Sequence, residues 1–135
     1  MVIMNKENEK IYIVYTIFGA VLWFSAIILR DLNLSNDIYF NYILGVLPNF
    51  AVVFLAFGIG MIYYPILKKK ISLPLKKYYS LIILILIWVL LLISEYLHQI
   101  FINSPWDNFD IIASGLATLI IFIFYYIDVS KLNSK

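Results

Sequence analysis

Cysteine is absent from the chain, which excludes a disulfide framework, thiolate metal ligation and cysteine-based catalysis. Charge is scarce as well. Only 13% of residues are Asp, Glu, Lys or Arg, against 64% hydrophobic and 18% aromatic, too few to coat a water-soluble bundle of this size. Histidine occurs once, at His98, and arginine once, at Arg30. A single histidine, with no nucleophile elbow around Ser94 or Ser114, does not make a hydrolase triad, and no glycine-rich phosphate loop is present. No catalytic residue and no cofactor is therefore assigned, and a non-enzymatic role is favoured. The small net charge of +2 comes from scattered lysines with no aromatic stacking platform among them, so no nucleic-acid partner is expected.

What the chain does contain is four long apolar stretches, running from about Ile11 to Leu29, Tyr42 to Leu67, Tyr78 to Phe101 and Phe109 to Ile127. Each is long enough to cross a hydrocarbon core of about 30 Å as a helix. The spacing predicts an all-α integral membrane protein, a four-transmembrane-helix bundle forming a single membrane domain over residues 1–135. Nine lysines precede the first stretch, separate the second from the third, or follow the fourth, and only Arg30 lies at the other end. By the positive-inside rule both termini and the middle loop are expected in the cytoplasm, which makes this a multi-pass plasma-membrane protein. The first stretch exceeds a signal-peptide core and lacks a small-residue cleavage site, so it is expected to be retained.

Within these spans small residues mark places of close helix approach: Gly19, Ala20, Ser25 and Ala26 in the first, and the pairs Ala113/Ala117 and Ser114/Thr118 in the fourth. Pro48 is expected to interrupt and kink the second span. Asn33, Ser35, Asn36 and Asp37 read as turn and capping residues in a loop from Leu32 to Asn41. Ser104, Pro105 and Asp107 fit the N-cap, N1 and N3 positions of the fourth helix.

Polar residues gather at the predicted outer end. Glu95, His98 and Gln99 share one face of the third helix, Asp107 and Asp110 open the fourth, and Arg30 and Asn49 belong at the same level. Two readings of these seven residues stand side by side. In one, the aspartates complement the positive end of the fourth helix, and Glu95 pairs with Arg30 to lock the bundle. In the other, the same groups line an outward pocket, since a carboxylate within an apolar run is a functional candidate by default. Glu95-x-x-His98 has the spacing of a bundle metal site, but a single copy needs further ligands, so no metal is assigned.

Over Glu95 to Ala117 the chain resembles the VanZ-like family of small multispanning membrane proteins. Glu95 and Gln99 fit that family's Glu-x-x-x-Gln helix end, and Asp110 fits the Asp that leads its next helix. Ser114 stands where Asn is usual, Ala117 where Gly is usual, and the hairpin lacks the Arg that family members often carry, leaving Arg30 as the only outer cation. The resemblance implies a cell-envelope role in a bacterial plasma membrane and supplies no catalytic residue. Three functions are weighed: an outward polar site binding a lipid or glycolipid head group, an accessory subunit packing through helix 4 on a membrane-protein partner or a second copy, and a proton- or cation-coupled carrier using Glu95 and His98. The absence of an inverted repeat argues against the last.

Overall fold

The computed structural model describes residues 6–32, 36–70, 79–102 and 107–133. They form four helices, α1 (Lys6–Asp31), α2 (Ile38–Lys70), α3 (Tyr79–Ile102) and α4 (Asn108–Asn133), with no strand among the described residues. Each helix contains a segment long and apolar enough to cross a membrane: Glu9–Asp31, Ile38–Leu67, Tyr79–Phe101 and Asn108–Tyr125.

Every expected span coincides with one helix, and the differences lie at the ends. The polar opening of the chain is helical from Lys6 onward, and α2 starts at Ile38 rather than at Tyr42. Asp37 explains the early start, because its Oδ1 accepts the backbone N–H groups of Tyr39 at 2.7 Å and Phe40 at 3.3 Å and so caps the first turn. Tyr39 and Phe40 therefore belong to the helix and not to a loop. The expected interruption at Pro48 is absent: α2 runs without a break through both Pro48 and Pro65. A proline deletes one ladder N–H, and in a helix held by neighbours on several sides that single loss is tolerated. Helix α4 begins later than the Ser104–Pro105 pattern predicted; those two residues lie outside the described ones. Its cap is Asp107, whose Oδ1 accepts the Phe109 N–H at 2.8 Å.

Packing is organised around α2, which α1, α3 and α4 all contact, while α3 and α4 also meet each other. The α1–α2 crossing is the tightest. A Cβ at Gly58 would stand 2.7 Å from both the Thr16 N and the Tyr12 O and would collide with the Thr16 hydroxyl; one at Gly19 would stand 2.7 Å from the Ala51 O and collide with the Leu55 N. Only glycine lets two backbones approach so closely. Around that crossing Tyr12, Val53, Phe54, Phe57 and Met61 form a buried cluster with Leu84, Ala117 and Ile121, and Phe57 receives ring contacts from Tyr12, Tyr15 and Tyr125. The small residues of α4 face this interior, with Ala113 at 8%, Ser114 at 1% and Ala117 at 0% exposure. Helix α3 is the least enclosed. Leu86, Leu90, Ile93, Leu97 and Ile100 present a continuous exposed apolar surface, as a lipid-facing helix requires.

A polar cavity shared by four helices

Because α1 and α3 both pack on α2 but make little contact with each other, a gap remains between them. It holds a cavity of about 320 Å³ to which all four helices contribute. From α1 come Trp23, Ile27 and Arg30, at the i, i+4, i+7 spacing of one helix face. From α2 come Gly45, Pro48 and Asn49; from α3 Leu91, Ser94, Glu95 and His98; from α4 Asp110, Ile111 and Ser114. The late part of α1 and α3 thus meets the early part of α2 and α4, so the helices run alternately up and down and the cavity sits near one end of the bundle.

Of the seven residues singled out in the sequence, Arg30, Asn49, Glu95, His98 and Asp110 line this cavity. Gln99 is exposed and is not part of the lining. Asp107 is not part of it either; beyond capping α4, it accepts a hydrogen bond from the Tyr42 hydroxyl. Glu95 Oε1 accepts the Asp107 backbone N–H at 3.1 Å, so this carboxylate ties the last turns of α3 to the start of α4. The expected Arg30–Glu95 ion pair does not form: Arg30 is exposed, and no ion pair links it to Glu95 or Asp110. Glu95 is committed instead to the backbone of its own hairpin.

Asp110 is a half-buried carboxyl on the cavity lining. The Asn49 amide donates to its carboxyl, and the charges of Asp107, Glu95 and His98 act on it, yet its Oδ1 is buried with no hydrogen-bond partner. A buried carboxylate oxygen without a donor is costly. Neighbouring hydroxyls do not serve: Ser114 Oγ donates to the Ile111 carbonyl at 2.9 Å and Thr118 Oγ1 to the Ser114 carbonyl at 2.8 Å. Among the described residues no three His, Asp or Glu side chains converge into a set able to hold a metal ion, so Glu95 and His98 do not find the extra ligands that a metal would need.

The sequence reading missed Trp23, Ile27, Gly45, Leu91 and Ile111, considered Ser94 only as a nucleophile, and took Ser114 as a nucleophile, a helix-packing residue and a position of the VanZ-like pattern but not as a cavity residue. Helical spacing counted back from Arg30 would have found Trp23 and Ile27. Comparison with protein-family models, curated proteins and solved structures gives no match for this chain.

Proposed function

We propose that this is a multi-pass plasma-membrane protein, with both termini cytoplasmic, whose outward-facing cavity binds the head group of an envelope lipid or glycolipid without converting it. The polar cavity carries this reading: four helices line it, and its lining includes Asp110, a carboxyl with one buried oxygen that has no hydrogen-bond partner. It lies at the end of the bundle that the lysine distribution assigns to the outside. At about 320 Å³ it falls at the small end of ligand sites, a size suited to a head group and not to a whole amphiphile. Arg30, exposed and unpaired at the same cavity, offers a bidentate donor to phosphate, while Asp110 and Glu95 offer acceptors to hydroxyl or ammonium groups. The VanZ-like pattern at Glu95, Gln99 and Asp110 supports a bacterial cell-envelope setting.

The accessory-subunit reading relied on the small-residue face of helix 4. That face is occupied within the chain, where Ala113, Ser114 and Ala117 are buried, so it offers a partner no free surface. Gly45 provides the test of the cavity. A Cβ there meets nothing within 4 Å, so Gly45→Trp fills the cavity without pressing on backbone. Native mass spectrometry of protein extracted with its own lipids is expected to show a retained lipid on the wild type and its loss from Gly45→Trp. Equal retention by both would place the lipid elsewhere.

A further inference from the structure

Directly inward of the polar cavity, along the seam between α3 and α4, lies a second concavity of about 400 Å³ lined by Leu84, Ile85, Trp88, Gly115, Leu119 and Phe122. Its chemistry is the reverse of the first. The one hydroxyl beside it, on Thr118, is already donated to the Ser114 carbonyl, so the groove presents hydrocarbon and aromatic surface. The two sites are adjacent in register. On α3 the cavity residues Leu91, Ser94, Glu95 and His98 continue one turn inward to Trp88, Ile85 and Leu84; on α4, Asp110, Ile111 and Ser114 continue directly into Gly115, Leu119 and Phe122. Seven to ten residues separate the centres of the two stretches, roughly 10–15 Å along a helix axis. A polar compartment with an apolar slot beginning about one turn further along the same two helices, α3 and α4, has the layout of a membrane lipid.

We infer that the α3–α4 groove holds one hydrocarbon chain of the lipid whose head group occupies the polar cavity, so that the ligand is a whole lipid with a donor-bearing head and not a soluble head-group molecule. This rests on the head-group reading of the cavity. Gly115 is what keeps the slot open: a Cβ there would reach only Trp88 Nε1, at 3.7 Å, an ordinary contact that strains nothing. A larger side chain at 115 therefore occupies the place of the chain while leaving the backbone and the polar cavity as they are. The occupant is distinguished from bulk lipid by the compartment above it, since lipid against the exposed stripe of Leu90, Ile93, Leu97 and Ile100 on α3 meets only apolar side chains.

Phosphatidylethanolamine is a suitable probe, because its ammonium can donate to the Asp110 carboxyl and its phosphate can accept from Arg30; glycerophosphoethanolamine supplies the same head without chains. The full-length protein is purified in detergent and titrated with each probe under native mass spectrometry, as wild type, Gly115→Leu and Leu119→Trp. The wild type is expected to take up one phosphatidylethanolamine, and both variants to bind it about tenfold more weakly, the effect of losing roughly one good contact set. Both variants are expected to keep wild-type binding of glycerophosphoethanolamine and wild-type melting. Full phosphatidylethanolamine binding by both variants would overturn the inference and leave the head-group reading standing. Loss of the chain-free head in both variants would also overturn it, because the groove would then act only by deforming the cavity. Failure of the wild type to bind either probe would sink the head-group reading itself.

Discussion

Arg30 and Glu95 line one cavity, but among the described residues only Glu95 has a partner within the fold, and that difference decides how each behaves when removed. Glu95 accepts a backbone N–H from the start of α4, whereas Arg30 is exposed and makes no ion pair with it. Glu95→Ala leaves the Asp107 N–H without its acceptor and is expected to cost about 1–3 kcal/mol of stability. Arg30→Ala removes an exposed, unpaired charge and is expected to cost at most about 1 kcal/mol. In ligand-free protein the two should combine additively within about 0.5 kcal/mol, as independent sites do. A double-mutant cycle by thermal or denaturant melting checks this, and a coupling of about 2 kcal/mol or more would mean that the two charges pair after all. The sequence located both residues at the right level but paired them wrongly. Opposite charge and shared depth are visible in a sequence; the backbone donor that Glu95 prefers is created only when the α3–α4 hairpin closes.

At the level of helices, the four elements were legible because each is announced by about 20 mostly apolar residues in a row, and the inward use of Ala113 and Ala117 was legible from their small-xxx-small spacing. The helix starts were not, since each depends on which of several candidate side chains turns back to cap the first N–H groups. Asp37 and Asp107 do so here, in place of Ser104 and a later start for α2. Nor did Pro48 declare its effect, because whether a helix bends at a missing N–H depends on what packs beside it. Gly58 and Gly19 carry the strongest demand among the five glycines, as each faces the backbone of the opposing helix. Gly58→Leu is expected to destabilise by about 3 kcal/mol, the upper end of overpacking costs, and Ala117→Leu, at a fully buried site, by about 1–3 kcal/mol. Leu119→Ile, on the exposed face of the same α4, should change melting little. Equal melting temperatures for all three variants would contradict the helix arrangement.

For the molecule as a whole, the up-and-down order of the helices gathers every cavity residue at the end that also carries Arg30, while Lys6 and Lys10 in the first turns of α1 and Lys68, Lys69 and Lys70 at the end of α2 lie toward the opposite end. That asymmetry ties the proposed function to orientation: the proposed lipid site requires the cavity to open outward, and the lysine count predicts that it does. The absence of native cysteine makes the point directly measurable, because each introduced thiol is the only one in the protein. Ser94 lines the cavity, is exposed, and lies close to the Glu95 that binds the hairpin. The decisive measurement is labelling of Ser94→Cys in intact cells by a membrane-impermeant thiol reagent, with Asn36→Cys and Ser72→Cys as markers of the two sides. Reaction of Ser94→Cys together with Asn36→Cys, while Ser72→Cys reacts only after the membrane is permeabilised, is the result predicted here; reaction of Ser94→Cys only after permeabilisation, together with Ser72→Cys, would contradict an outward-facing lipid site.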